Sequence, residues 1–296
     1  MGTRRGVTLT ELLAAVGGMV CLSAVLCPAL MEAKDSAERT ACAANLSRIG
    51  EALRLYAGDH DGFLPDCGAA SSLGGAPPAD GRHVASRFNA PGSCTWPNVR
   101  AVGNQANLWI LVHEGYAAAR LFICPATSDR PSLNDDRSDA IMGFLAMDPA
   151  TGRATPDEDR FLKRVAAGRC SYSYQNQFVH PGTDPEVADS KNATTHILLH
   201  HATLAILADR NPYTRTDLVN QPIVSPADQP EANSLNHGGR GQNVLYLGGD
   251  VQWQESPRCG PLRSDGRYDN IYWPDAGPPD DPTNIPRTLD DSYLVP

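Results

Sequence analysis

Three groups of side chains have types and spacings suited to chemistry. The first is a lone carboxylate, Glu11, near the start of an apolar run from Val7 to Met31. An ionisable group inside a membrane-length segment is expensive and is a functional-site hypothesis by default, because a carboxylate in lipid needs a cation. The second is a polar constellation of His196, His200, His201, Asp209, His237 and Asp250. His196 and His200 are four apart, which on a helix would put them on one face as zinc ligands often are. The segment lacks the Glu that follows the first His in zinc proteases. A metal-dependent hydrolase centred on His200, His237 and Asp250 is one alternative. The plainer one has Asp209 and His237 tying loop backbone beside a hairpin, with Asp209-Arg210 as an ion pair or loop tie. The third is an acidic tail in which Asp265, Asp269 and Asp275 lead a run of Asp and Asn among Gly and Pro. Hard oxygen donors on flexible loops suit calcium, and the same composition also suits a solvated linker. The sequence contains no GxSxG elbow, phosphate loop or dinucleotide fingerprint, so the chain is read as a non-enzyme.

The elements that must carry these groups divide the chain unequally. The run 7–31 exceeds the roughly 20 residues needed to cross the hydrocarbon of a bilayer. Arg4 and Arg5 lie on its N-terminal side, which keeps that end in the cytoplasm and exports the chain beyond Met31. From 32 to 57 the helix continues as an amphipathic stripe of Cys42, Leu46, Ile49, Leu53 and Tyr56, the face on which a head would pack. Asp59-His60-Asp61-Gly62 and Pro65 end it. The head is one large domain, and 26 Gly and 24 Pro in the chain favour loop-rich β or α+β structure. A short helix is expected at 107–112 and a brief strand at 121–125. Better strands are expected at 171–178, 204–208 and 243–247, the last turning through Gly248-Gly249-Asp250 into Val251-Gln252-Trp253 as a hairpin.

Gly6-Val7-Thr8-Leu9-Thr10-Glu11-Leu12-Leu13, Pro28 and the passage from Ala52 to Pro65 resemble the type IV pilin and type II secretion pseudopilin family. The resemblance covers about the first 65 residues. It implies a leader (1–6) cut after Gly6 by a prepilin peptidase, with methylation of the new amino terminus on Val7, although Phe or Met is the family's usual residue there. It implies an assembly helix (7–31), an exported continuation (32–60) and a head (61–296) with a Pro/Asp-rich tail (260–296). Glu11 would pair with the freed ammonium of a neighbouring subunit, and Pro28 would kink or locally melt the helix. A second resemblance lies at His237-Gly238-Gly239 through Gly248-Gly249-Asp250-Val251, which is similar to the processing-associated domain of large prepilin-like proteins. Here Gly248 stands where that family has Asp, with Asp250 nearby. A structural calcium in the C-terminal loop is also what the pseudopilin resemblance implies.

Cys21 and Cys27 fall in the membrane-length run, whereas Cys42, Cys67, Cys94, Cys124, Cys170 and Cys259 lie in the exported part. An even number of cysteines in an oxidising compartment suggests up to three disulfides, with free thiols as the alternative. No pair has CxxC spacing, which disfavours a zinc ribbon. The net charge of -9, without Lys/Arg clusters beyond the leader, argues against nucleic acid. The expectation is thus an α+β, pilin-like chain with a long N-terminal helix on a loop-rich antiparallel β head. It would be a structural subunit of a pilus or secretion pseudopilus, with its own copies, a prepilin peptidase, the assembly machinery and the bacterial inner membrane as partners. Its head would be periplasmic, or at the cell surface once assembled. A membrane-anchored glycan-binding protein is the alternative from another class.

Overall fold

The computed structural model describes residues 8–65, 100–101, 105–129, 141–142, 170–175, 201–213, 224–273 and 291–295. Helix α1 spans Leu9–Asp59 and opens with a capping box. The Thr8 backbone N–H donates to Glu11 Oε2 at 2.9 Å, and the Glu11 N–H donates back to Thr8 Oγ1 at 3.4 Å, satisfying two donors of the first turn. Pro28 lies inside α1 without interrupting it. Of the expected kink or local melting, the melting is absent, since α1 runs continuously through that position. The helix stops where expected. Asp61 and Gly62 turn to positive φ (53° and 89°), and the Gly62 N–H donates to the Ala57 carbonyl at 2.7 Å.

Two halves of α1 meet different surroundings. Leu9, Leu12, Leu13, Val16, Met19 and Val20 are each at least half exposed, as are Leu22, Leu26, Leu30 and Met31. This helix is long and apolar enough to cross a membrane, with an 18-residue window of mean hydropathy 2.2 that none of the described residues buries. In the second half the stripe of Cys42, Leu46, Ile49, Leu53 and Tyr56 is buried.

The stripe packs on a five-stranded sheet. Beyond α1 come β1 (Arg100–Ala101), α2 (Gln105–His113), β2 (Ile141–Met142), β3 (Tyr172–Gln175), β4 (Ala205–Asp209), β5 (Gln242–Tyr246), β6 (Val251–Gln254), β7 (Arg258–Leu262), β8 (Tyr268–Asn270) and β9 (Leu294–Val295). The main sheet has the order β6-β5-β4-β3-β9 and is antiparallel throughout. β7 and β8 form an antiparallel pair, and β1 and β2 a short parallel one. Both faces of the main sheet are covered. Tyr172, Tyr174, Leu207 and Leu245 share a core with the α1 stripe and α2, while Ala208, Val244 and Tyr246 share another with Ile271, Tyr272 and Leu294. Gly50 allows the close approach of helix and sheet, since a Cβ there would lie 3.0 Å from Leu245 Cδ1.

The α+β architecture, the helix at 105–113, the central strands and the β5–β6 hairpin agree with expectation. The strand expected at 121–125 is instead a 3-10 turn, Ala119–Phe122, running into Cys124-Pro125. Pro125 has no N–H for a ladder, and the preceding run of four apolar residues carries too little periodicity to separate strand from turn.

Candidate functional site

Where α1 crosses the sheet, four chain-distant residues converge. Cys42 sits on the buried stripe of α1, and Cys124 follows the 3-10 turn at 119–122. Asp209 is the last residue of β4, and His237 ends a second 3-10 turn, Leu235–His237. Gly238 and Gly239 then reverse the chain into β5 with φ of 67° and 74°, a left-handed backbone that a β-carbon would strain. The ligand-type atoms of the four residues all lie within 4.8 Å of one another. All four are buried, none more than 4% exposed.

The contacts form a closed ring of polar groups. Cys42 Sγ donates to Asp209 Oδ1 at 3.2 Å, and His237 Nε2 lies 3.4 Å from Asp209 Oδ2 and 3.5 Å from Cys124 Sγ. A second layer holds the first. The Asn243 N–H donates to Asp209 Oδ2 at 2.7 Å and Asn236 Nδ2 to Asp209 Oδ1 at 2.9 Å, while the Tyr172 hydroxyl stands 3.4 Å from Cys42 Sγ. The rings of Trp253 and His237 meet edge to face at 5.4 Å, and the Arg39 guanidinium lies 4.4 Å from the Trp253 ring centre. Gly241 makes room for Trp253, since a Cβ there would meet that ring at 2.7 Å and the Gln254 carbonyl at 2.5 Å.

The surroundings bias the groups differently. Burial raises the Cys42 thiol well above its ordinary value. The hydrogen bond with Cys42 lowers Cys124 to about 7 against the effect of burial, helped by His237. Burial works against charge on His237, yet its hydrogen bonds to Asp209 and Cys124 outweigh that and raise it to about 10. A thiol, an imidazole and a carboxylate in contact are also the parts of a nucleophilic triad. Complete burial of all four groups argues against a nucleophile that must meet substrate, and in favour of a site that holds something small.

The other expected site residues lie elsewhere. Gly6, Val7, His196, His200 and Asp275 fall outside the described residues. Asp250 is exposed at the β5–β6 turn, and the five residues of β5, roughly 17 Å, run between it and the His237 end of the strand. It borders a cavity of about 480 Å³ with Tyr246, Gln252, Gln254, Arg258 and Tyr268. Gly248 lies against Ala202, so that a Cβ would come within 3.3 Å, and Gly249 has a φ of 96°. Of the calcium candidates, Asp265 is exposed and accepts the Arg267 N–H at 3.0 Å, whereas Asp269 is buried and accepts the Ser292 N–H at 2.8 Å and Arg263 Nη1 at 3.3 Å. Arg210 pairs with Asp129, correcting the expected tie to its neighbour Asp209, whose carboxylate is taken up by the buried ring.

The expected disulfide framework also needs correction. Cys42, Cys124, Cys170 and Cys259 are all free thiols, and Cys67 and Cys94 lie outside the described residues. Cys170 is buried and Cys259 half-buried, each apart from the others, and Cys42 and Cys124 meet as members of a mixed polar cluster. No family model, curated protein or solved structure matches the chain.

Proposed function

We propose that the protein is a pilin-like structural subunit, anchored through α1 and assembled through it into a filament or secretion pseudopilus. The observation that carries this reading is the division of α1: one continuous helix exposes Leu9, Leu12, Leu13, Leu22, Leu26, Leu30 and Met31, then buries the stripe that starts at Cys42 in the head. The exposed half suits lipid before assembly and neighbouring helices after it. The head would be displayed outside the cytoplasm, given Arg4 and Arg5 ahead of the helix. Glu11 caps its own helix through Thr8, and in a filament its carboxylate would turn to the amino terminus of a neighbour.

Mass spectrometry of the protein co-expressed with a prepilin peptidase tests this directly. The mature chain is expected to begin at Val7 with a methylated amino group. A surface-exposed protein that keeps Arg4 and Arg5 would refute the proposal.

A second reading draws on the polar cavity beside Asp250, where Tyr268 is 56% exposed among Gln252, Gln254 and Arg258. An aromatic face beside amide and charged donors is a surface that an oligosaccharide could occupy. Titration calorimetry against neutral and acidic oligosaccharides separates the two, with saturable heat lost in Tyr268→Ala expected for a glycan-binding head.

A further inference from the structure

We infer that Cys42, Cys124, Asp209 and His237 form a structural zinc site that locks α1 onto the head. Two thiolates, an imidazole and a carboxylate are a donor set that zinc takes in tetrahedral geometry. Sulfur donors disfavour calcium and magnesium, which take oxygen.

The ligand-type atoms lie within 4.8 Å of one another, and two of their separations match tetrahedral edges. With zinc bonds of about 2.3 Å to sulfur and about 2.0–2.1 Å to nitrogen or oxygen, tetrahedral edges come to about 3.6 Å from sulfur to nitrogen and about 3.3 Å from nitrogen to oxygen. The corresponding separations here are 3.5 Å for Cys124 Sγ to His237 Nε2 and 3.4 Å for His237 Nε2 to Asp209 Oδ2. Cys42 Sγ, at 3.2 Å from the other oxygen of Asp209, completes the set.

The second layer fits the same reading. Ligating carboxylates are held by outer hydrogen bonds, as Asp209 is by Asn236 and Asn243. Two thiolates and a carboxylate around a divalent ion leave one negative charge. The amide donors, and the Tyr172 hydroxyl beside Cys42, are placed to offset it. Binding releases the protons held by the thiols and imidazole to solvent, so charge is conserved without any oxidant. All four coordination positions come from the protein and all are buried, the arrangement of a closed structural site with no position open for water or substrate. The four ligands come from α1, the loop after the 3-10 turn at 119–122, the end of β4 and the turn before β5. One ion therefore ties together segments distant in the chain.

The test uses the full chain purified in detergent from zinc-supplemented cells, and it is independent of the assembly reading because it needs neither cleavage nor filaments. Elemental analysis is expected to give about one zinc per chain, as four protein ligands around one ion require. Replacement by cobalt(II) is expected to give the intense visible absorption of tetrahedral cobalt, with thiolate charge transfer in the near ultraviolet. Cys42→Ser and Cys124→Ser should each lose the metal and the charge-transfer band, while Cys259→Ser should keep both. If the cluster variants fail to fold, the wild-type zinc content and cobalt spectrum decide by themselves. A zinc-free wild type, a cobalt spectrum without thiolate bands, or a Cys42–Cys124 disulfide in non-reducing peptide maps would each overturn the proposal.

Discussion

Glu11 has two jobs available to it, and they make different demands on the side chain. At the N3 position of a capping box it needs an acceptor, which Gln also supplies; as a partner for a neighbour's ammonium it needs charge. Glu11→Gln is therefore expected to keep the helix start and lose incorporation into filaments. Glu11→Ala should lose both, at a cost of about 1 kcal/mol to the cap. Co-purification with wild-type subunits reports the first effect, and amide exchange over the first turn the second. If Glu11→Gln assembles normally, the charge is dispensable and the cap is its whole role. The glycines around His237 separate in a similar way. Gly238 needs its left-handed φ but has open space around it, so Gly238→Ala should cost about 1–2 kcal/mol. Gly241→Ala would push a methyl group into the Gln254 carbonyl and Trp253, and its denaturation midpoint should fall further.

At the scale of elements, the second half of α1 is part of the core and not an appendage to it. Leu46→Ala or Ile49→Ala should destabilise the chain by about 2–5 kcal/mol, against less than about 0.5 kcal/mol for Leu55→Ala on the exposed side, as measured by chemical denaturation in micelles. That stripe is legible in the sequence because burial on a helix repeats every three to four residues and leaves a local pattern. The strands β4 and β5 are legible for a related reason: they are covered on both faces and carry short apolar runs bounded by turn residues, while β3 reads as an alternation of Tyr and Ser. The cluster at their crossing is not. Cys42 sits in sequence as one more core residue of the stripe, Asp209 as the end of a strand, and His237 as a turn residue before two glycines. Nothing in local spacing joins residues 42, 124, 209 and 237. The fold alone brings them together, whereas reasoning from spacing favours His200 and Asp250 as partners for His237 and an acidic tail for metal. A Cys on a buried stripe and an Asp closing an apolar strand, each a polar atom at a core position, are the faint signals available.

In the whole molecule one helix is shared between an exposed apolar half and the head, and the response to truncation should reflect that division. Removal of residues 1–31 takes away the exposed apolar half and leaves the core contacts of Cys42, Leu46, Ile49, Leu53 and Tyr56 intact. The product is expected to remain in solution without detergent as a folded species by sedimentation and circular dichroism. Removal of residues 1–60 strips the main sheet of its cover and should yield an aggregating chain. A truncation at 31 that precipitates would show that the first half also contributes to the fold of the head. The sharing has a mechanical consequence. At 1.5 Å per residue the 51 residues of α1 form a rod of about 77 Å, held against the head along its distal part. Traction applied at the N-terminal end travels along the rod and loads Asp35–Arg240, Arg39–Trp253, Cys42 and the leucines beyond together, so that many contacts resist at once. Pro28, short of one hydrogen bond, is the most compliant point on that load path, and it lies ahead of the first of those contacts. A pull should stretch or bend the rod there before it disturbs the head.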